Sequence, residues 1–355
     1  MGHNVNHQEW WRQAKRACGW SCPRQVATLF VDNAAGTSPA QQARVLNDLF
    51  HKQCSAFPSA TLSSVSSADD AATSASTTLF LFDEITPEQV LRAIRGLPSG
   101  KSCEVDGITN ELLKLTADAT CVPLAMIFSQ SLREGVFPAI WKESILTPVP
   151  KPGKDLSQPA SYCPIALLSC LSKLLERLVH QQLVIHCLSN DHLPDHQFGF
   201  LRARSAEWQL LSVLESWYQA RDRGHNVHAV FLDAAKAFDR VNHTLLLQTL
   251  SDVGIRGPEL LWFASYLSNR LTRTKVAGVI SECLPISAGV PQGSVLGPLL
   301  FLLHFRNIPR VTSATTALFA DDTLLYRDDC KGGSNDPCCG LQTAVTELSL
   351  WAVES

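Results

Sequence analysis

Two apolar runs meet at a pair of adjacent aspartates, and this pattern constrains the fold more than any other feature of the chain. The runs are residues 316–320 and Thr323–Tyr326, and the pair between them is Asp321 and Asp322. The pattern predicts two short strands joined by a tight turn. Two half-buried neighbouring carboxylates lose hydration and repel each other, and a divalent cation would remove that cost. A solvent-exposed turn rich in Asp is the alternative.

A second acidic position, Asp233, ends the apolar run Val227–Asp233. This run predicts a strand that ends in a carboxylate. The next residues, 234–239, favour a helix, so Asp233 either caps that helix or holds a metal and phosphate at the strand end. Phosphoryl and nucleotidyl transfer by two metal ions requires carboxylates from separate strands. Asp233, Asp321 and Asp322 meet that requirement.

A third segment, Gly289–Pro298, is punctuated by glycine and proline and precedes an apolar helix predicted at Leu299–Phe305. Its glycines permit close approach of a ligand or a nucleic-acid backbone, and Gln292 among them can both donate and accept hydrogen bonds. Taken alone, the segment is also typical of an ordinary loop.

Composition excludes several classes of protein. With 45% hydrophobic and 18% charged residues over 355 positions, the chain should fold and should exceed one average domain. A formal net charge of −3 excludes a basic protein that wraps nucleic acid, so nucleic-acid binding requires local patches. The 12 scattered cysteines, without a signal peptide, predict reduced thiols in an intracellular protein. The longest apolar stretch, Ser294–Phe305, is too short to span a membrane.

Local patterns divide the chain into segments. We expect a helical lead-in over residues 1–58, with a helix at Pro39–Phe50, and a flexible Ser/Ala/Thr-rich linker over 59–79. Thr86 and Pro87 predict the start of the next helix, which should end before Pro98. Further helices are predicted at 110–115, 124–133, 167–188 and 207–220, and a strand broken by proline at 145–150.

Taken in this order, the segments FLDAAKAFD, GVPQGSVLGP and FADD resemble the palm motifs of reverse transcriptases from non-LTR (LINE-type) retrotransposons. Upstream, residues 97–114, 141–155, 161–179 and 195–205 resemble the fingers segments of that family, so the resemblance covers about Ile85–Trp351. It implies an α+β polymerase right-hand fold whose antiparallel palm sheet is backed by helices. The implied divisions are fingers at 80–204, palm at 205–330 and a truncated palm segment at 331–355, with no thumb.

The resemblance also implies RNA-directed DNA polymerase activity with an RNA template, a DNA primer and dNTPs as partners, and no membrane. The cofactor would be two Mg²⁺ ions, with Mn²⁺ as the alternative ion. Asp233 and Asp321 would bind the ions together with the backbone carbonyl of Ala234, and Asp322 would support them. The oligomeric state is not implied.

Further roles follow from the same resemblance. Phe238 would act as a steric gate against a 2′-hydroxyl, whereas its residue type alone also suits a core position. Gln292 would contact the nucleotide, Gly293 would let the template and primer pass, and Lys151 would reach the triphosphate. Basic fingers side chains would bind nucleic-acid phosphates, among them Lys101, Lys154, Arg202 and Arg204.

The sequence also departs from the family pattern. Cys163 stands where the family usually has an arginine that clamps the triphosphate, and a thiol cannot replace that charged bidentate donor. The chain ends at Ser355, before the lysine and thumb segments of the family. We therefore expect weak or no activity from this polypeptide, with a non-catalytic remnant that at most binds nucleic acid as the alternative. A different two-metal phosphotransferase is a third interpretation, which leaves the Gln-Gly loop and the gate without a role.

Overall fold

The computed structural model describes residues 26, 28–31, 34–36, 38–55, 78–100, 106–330 and 337–354. The chain divides into two compact units. Unit 1 comprises Met1–Phe50, Leu146–Ile165 and Arg273–Cys283, and unit 2 comprises His51–Ile145, Ala166–Thr272 and Leu284–Ser355. The predicted linker lies outside the described residues except for its last two positions. The proposed fingers and palm boundaries stay predictions.

The described residues form helices and strands that are mixed along the chain. The helices are α1 (Pro39–Gln53), α2 (Pro87–Arg95), α3 (Asn110–Leu115), α4 (Ala117–Glu134), α5 (Cys170–Ser189), α6 (Ala206–Asp222), α7 (His243–Asp252), α8 (Gly257–Leu267), α9 (Gly297–Phe305), α10 (Ile308–Val311) and α11 (Pro337–Glu354). The strands are β1 (Leu29–Val31), β2 (Ala34–Gly36), β3 (Glu143–Pro150), β4 (Tyr162–Leu167), β5 (His225–Asp233), β6 (Arg270–Val276), β7 (Val279–Ile280), β8 (Leu284–Ile286), β9 (Thr315–Phe319) and β10 (Asp322–Cys330). None of the helices described here has the length and apolar character that crossing a bilayer requires.

Capping residues set the helix starts that the sequence predicts. The Thr86 hydroxyl accepts the N–H of Gln89, the Gln89 side chain accepts the N–H of Thr86, and Pro87 occupies the first turn of α2. The bounds of α3 match the prediction. The predicted helices at α1, α4 and α6 are also present, with longer bounds than the apolar periodicity indicates.

Two predictions for residues 145–188 are wrong. The helix predicted from Leu167 begins at Cys170, because strand β4 precedes it and the Ser169 hydroxyl accepts the N–H groups of Leu171 and Ser172. The strand expected to break at proline runs without interruption through β3. A short apolar run suits a strand as well as a helix, so its composition alone does not locate the boundary.

Unit 1 contains a two-stranded antiparallel sheet that the prediction of a helical lead-in missed. Leu29 of β1 pairs with Gly36 of β2. Helix α1, which the sequence predicts, carries Asn47, whose side chain is 2% exposed. The Asn47 amide donates to the carbonyl of Glu282 at 3.0 Å and accepts from the Thr274 hydroxyl at 3.0 Å. These bonds fix α1 to β6 and to the segment after β7 within unit 1.

Unit 2 contains an antiparallel sheet in the order β5-β10-β9, with β10 at its centre. Leu324 of β10 is buried with Val213 of α6 on one face. Leu325, the next residue, is buried with Leu341 and Ala344 of α11 on the other face. Alternate side chains of one strand therefore enter two small cores, which agrees with the expected mixed α and β fold and a sheet backed by helices.

A larger core of unit 2 surrounds aromatic residues of α8. Trp262 and Tyr266 are stacked at 5.8 Å between ring centroids, and Phe137 contacts both rings edge-on at 5.4 and 5.1 Å. The same core includes Leu174 of α5 and Phe301 of α9. It holds α5 and α9 in fixed positions, and those two helices support the loop described below.

Six cysteines of the chain are free thiols in the structure. They are Cys54, Cys121, Cys163, Cys170, Cys187 and Cys283. Burial raises the pKa of Cys54 and of Cys187 to about 12. Such thiols stay protonated at neutral pH and behave as small apolar residues.

Candidate active site

The strand register places Asp233 and Asp322 directly opposite each other. Asp233 is the last residue of β5, Asp322 is the first residue of β10, and the two are Cα partners in the antiparallel ladder. Cα partners in such a ladder lie about 4.5–5.5 Å apart and project their side chains from the same face. The structure thus brings together two carboxylates that are far apart in sequence.

Asp321 lies in the turn that joins β9 to β10. Phe319 and Asp322 are Cα partners, so Ala320 and Asp321 form the whole connection. The Asp321 carboxyl group is half buried, and its pKa is raised by burial and, to a smaller extent, by the negative charges of Asp322 and Asp233. A hydrogen bond from its own backbone N–H partly offsets this rise. Asp233, Asp321 and Asp322 therefore form one coupled group, called the acidic cluster below.

The two ends of the β5–β10 ladder differ in the countercharge that their carboxylates meet. In the described part of the chain, none of the carboxylates of the acidic cluster forms an ion pair with a Lys, Arg or His side chain. At the other end of the same two strands, Asp328 pairs with Arg223 at 3.0 Å and with His225 at 2.8 Å. These two partners lower the pKa of Asp328. The cluster is the place on this ladder where a bound cation would relieve repulsion.

The cluster supplies oxygen ligands without forming a closed cage. Among the described residues, no group of three His, Cys, Asp or Glu side chains stands ready to enclose a metal ion. Mg²⁺ does not require such a cage, because it keeps several waters and binds one or two carboxylates together with substrate phosphates. The donor set of the cluster fits that mode, and the residue after β5, Ala234, carries the backbone carbonyl expected to complete it.

A cavity of about 560 Å³ borders the acidic cluster. Asp233 and Asp322 lie in its wall beside apolar side chains of the sheet and of α6. Among these, Phe231 is 77% exposed, and it is the ladder neighbour of Leu324. Asp233 and Asp322 are both exposed at this cavity, so a ligand that enters it can reach the two carboxylates.

Phe238, the expected steric gate, is half buried against the larger core of unit 2 that surrounds α8. Its ring stacks on Phe301 at 4.3 Å between centroids and contacts Phe200 edge-on at 5.8 Å. It lies in a short 3₁₀ helix, Ala237–Arg240, directly after Lys236 with a positive φ of 60°. Phe238 therefore packs partly into the core, as its residue type alone suggests, and these contacts hold its ring in one position.

The loop Gly289–Leu296 packs against the segment that follows Asp233. The Gln292 amide donates to Asp239 at 2.8 Å, and the Gln292 carbonyl accepts the N–H of Ala166 at 2.7 Å. Gly293 has a φ of 118°, and a Cβ there would lie 2.5 Å from the Ala166 carbonyl oxygen. The close approach that Gly293 permits is therefore made by the backbone of Ala166 in this structure. The bond from Gln292 to Asp239 is a contact that the sequence pattern does not indicate.

The basic residues expected to bind nucleic acid or triphosphate differ in how their side chains are used. Lys151 lies in unit 1, where its ammonium donates to the Ala160 carbonyl at 3.2 Å. Lys154 and Arg202 are exposed, whereas Lys101 lies outside the described residues. The Arg204 guanidinium donates to three backbone carbonyls, those of Pro194, Asp195 and Gln197. Arg204 thereby supports a loop in addition to any contact with nucleic acid.

Two buried polar side chains near the site have roles that their sequence pattern did not indicate. Gln197, which is 1% exposed, hydrogen-bonds both backbone groups of Ala320 in the turn before Asp321. Glu176, which is 0% exposed, accepts the N–H groups of Val295 at 2.8 Å and Leu296 at 3.1 Å, where α9 begins. Both lie in segments that resemble the fingers of reverse transcriptases, but a sequence pattern does not reveal the partner of a buried polar group.

Comparison with known proteins gives a consistent result. The family model described as "Reverse transcriptase (RNA-dependent DNA polymerase)" matches residues 149–355. The chain is 37% identical over 276 residues to the probable RNA-directed DNA polymerase from transposon BS of Drosophila melanogaster, a match that covers 75% of the chain and 30% of that relative. It is 31% identical over 354 residues to the corresponding protein of the X-element from the same fly, covering 98% of the chain and 38% of the relative.

A third relative is the RNA-directed DNA polymerase from the Drosophila melanogaster mobile element jockey, 34% identical over 250 residues. That match covers 68% of the chain and 27% of the relative. The chain thus spans little more than a third, at most, of the length of these relatives.

Proposed function

The chain belongs to the reverse transcriptase family of non-LTR retrotransposons, and on that premise we propose that it catalyses RNA-directed DNA synthesis. The reaction joins a deoxynucleotide from a dNTP to the 3′-hydroxyl of a DNA primer paired with an RNA template. The observation that carries this proposal is the cross-strand pairing of Asp233 with Asp322, with Asp321 in the adjoining turn and no basic side chain of the described residues paired with them.

The acidic cluster and the carbonyl of Ala234 are the proposed ligands of two Mg²⁺ ions, which Mn²⁺ could replace. Bound ions of this kind lower the pKa of the attacking hydroxyl and stabilise the pyrophosphate that leaves. The contribution of the protein is to hold carboxylates from two strands in one register before the substrate arrives. Such preorganisation supplies most of the catalytic effect in phosphoryl transfer.

Phe238 is the proposed steric gate beneath the sugar of the incoming nucleotide. Its stacking on Phe301 supports this role, because an aromatic ring held on both sides cannot move away from a 2′-hydroxyl. Gln292 and Gly293 are proposed to contact the nucleotide and the template-primer, with Asp239 holding the Gln292 amide in place. Lys151 remains a proposed ligand of the triphosphate on the resemblance alone.

Nucleic acid is proposed to bind through its phosphates to basic residues of the segment 80–204, which we assign to the fingers, while 205–330 forms the palm. Lys154 and Arg202 are the exposed candidates, and Lys101 and Arg204 are the others. Phosphate contacts of this type weaken steeply as salt increases. Binding should therefore fall strongly between low and moderate salt.

Cys163 supports the second candidate, a domain that binds nucleic acid without turnover. Its thiol is free and half buried, and it cannot supply the charge of the arginine usual at this position. The two candidates differ in whether the acidic cluster supports incorporation of nucleotides.

Primer extension separates the two candidates. The 355-residue chain is assayed on a homopolymer RNA template with a DNA primer, dTTP and Mg²⁺, next to Asp321→Asn and the matched control Asp328→Asn. Reverse transcription predicts incorporation by the wild type and by Asp328→Asn, and a loss of about 1,000-fold in Asp321→Asn. Equal, near-zero incorporation by all three proteins would instead favour the binding domain.

A further inference from the structure

The turn that carries Asp321 has a backbone conformation that needs support. Ala320 is the first of its two residues and has a positive φ of 57°. Two-residue turns of antiparallel strands favour glycine where φ is positive, and another residue costs about 1 kcal/mol there. Ala320 is 7% exposed, so water cannot satisfy its backbone groups. Some neighbouring group must hold this residue in place.

Gln197 provides that support. Its side-chain oxygen accepts the N–H of Ala320 at 2.9 Å, and its side-chain nitrogen donates to the carbonyl of Ala320 at 3.3 Å. The same oxygen accepts the N–H of Gly199 at 2.8 Å, which fixes the amide relative to its own loop. One side chain therefore satisfies both backbone groups of the residue before Asp321.

The backbone on either side of Gln197 is also fixed against β9. Phe198 donates its N–H to the carbonyl of Leu318 at 2.9 Å, and Leu318 donates to the carbonyl of His196 at 2.9 Å. A Cβ at Gly199 would collide with the backbone of Ala320, so only glycine allows the two segments to approach this closely. Residues 196–199 therefore pack directly against the turn and against β9.

An amide is the side-chain group that suits this position. It donates and accepts at once without bringing a charge, whereas lysine or arginine would neutralise the acidic cluster and glutamate would add a further negative charge. Asparagine has the same group but is shorter by one methylene. Gln197 therefore fixes the turn and leaves the cluster free to bind a cation.

We propose that Gln197 is a positioning residue for Asp321: it holds the Ala320 turn so that Asp321, Asp322 and Asp233 present their carboxylates together to a divalent cation. This inference rests on the proposed function, because the cation belongs to that reaction. It assigns to Gln197 no contact with the nucleotide or with the reacting atoms.

The test compares Gln197→Met with Gln182→Met as the matched control. Gln182 holds Asp83 in the same two-point manner, since its amide accepts the N–H of Asp83 at 2.9 Å and donates to the carbonyl of Asp83 at 3.4 Å. Both substitutions replace a backbone-binding amide with an apolar side chain of similar length. Only the Gln197 substitution releases the turn before Asp321.

Two measurements detect the release of the turn and the change in cation affinity, and neither requires polymerase activity. Hydrogen–deuterium exchange of a peptide covering residues 318–323 should speed up in Gln197→Met and stay at the wild-type rate in Gln182→Met. Titration with Mn²⁺, followed by electron paramagnetic resonance, should show affinity about tenfold weaker in Gln197→Met, the size of effect typical when a group that orients a metal ligand is removed. Gln182→Met should bind Mn²⁺ as the wild type does.

Gln197→Asn keeps a polar group in the buried site and guards against a failure of Gln197→Met to fold. It lacks the reach to span Ala320, so its Mn²⁺ affinity should fall in the same direction by about threefold. Wild-type Mn²⁺ affinity in either folded Gln197 variant would overturn the proposal, as would unchanged exchange in the turn. If the Mn²⁺ affinity depends on Gln197 as expected but the wild-type chain fails to extend a primer, the result counts against the proposed function alone.

Discussion

The two ends of the β5–β10 ladder treat their carboxylates in opposite ways. At one end, Asp328 is paired with Arg223 and His225, and its pKa is lowered. At the other end, no basic side chain in the part of the chain that the structure describes pairs with the acidic cluster, and the pKa of Asp321 is raised. The same two strands therefore carry Asp328, whose ionised form stabilises the fold, and border Asp321, whose ionised form opposes it.

This difference indicates that the fold is less stable at Asp321, where the proposed reaction takes place, than at Asp328. An unpaired group of acids is unfavourable in the folded protein and is retained where a ligand compensates for it. The supporting groups follow the same division, because the turn of the cluster is held by the neutral amide of Gln197, while Asp328 is held by basic side chains.

Among changes that keep all three carboxylates of the cluster, supplying the missing countercharge should have the largest effect. Phe319 is the Cα partner of Asp322 on the strand opposite β5, so Phe319→Lys places an ammonium beside the acidic cluster. We expect nucleotide incorporation and Mn²⁺ affinity to fall about 100-fold, because the lysine replaces the divalent ion. Phe319→Met, which keeps an apolar side chain, is the control. Full Mn²⁺ affinity in Phe319→Lys would mean that the cluster is not the cation site.

Removing one charge of the cluster should stabilise the protein. The folded pKa of Asp321 lies above its usual value of 3.8, so its ionised form opposes folding, and stability falls as pH rises through the interval above 3.8. Because Asp321 is about half exposed and solvent screens its charge, Asp321→Asn should raise the free energy of unfolding by only about 0.5 kcal/mol at pH 7, and the gain should vanish below about pH 4. Urea unfolding at both pH values, without divalent ions, measures this. Destabilisation at pH 7 would contradict the assignment.

The opposite end should give a similarly small effect, with the opposite sign. The lowered pKa of Asp328 means that its ion pairs stabilise the fold above the usual pKa of 3.8 and are lost as pH falls through the folded value. Asp328 is partly exposed, so Asp328→Asn should cost only about 0.5 kcal/mol at pH 7 and less at high salt. The same urea titration at two salt concentrations tests this, and a salt-independent loss would argue against an ionic origin.

The sequence predicts the elements of the site better than its internal bonds. Strand β5 ends at Asp233 and the β9–β10 hairpin closes at Asp321, as apolar runs bounded by acidic residues indicate. The sequence pattern does not indicate strand β4, because a short apolar run carries no period of its own, and the helix predicted from Leu167 begins only at Cys170. Ala320, a partner of Gln197, and Val295, a partner of Glu176, lie more than a hundred positions away in sequence, and only the folded chain brings them together.

The direct opposition of Asp233 and Asp322 also determines which changes in length the gene can tolerate. Because successive residues of a strand face opposite sides, inserting or deleting one codon within β5 would turn every later side chain of that strand, including Asp233, to the other face. Asp233 would then face away from Asp322, and a similar change within β10 would turn its buried leucines out of their two cores. In-frame length changes should therefore survive in the connections outside this ladder and be eliminated within it.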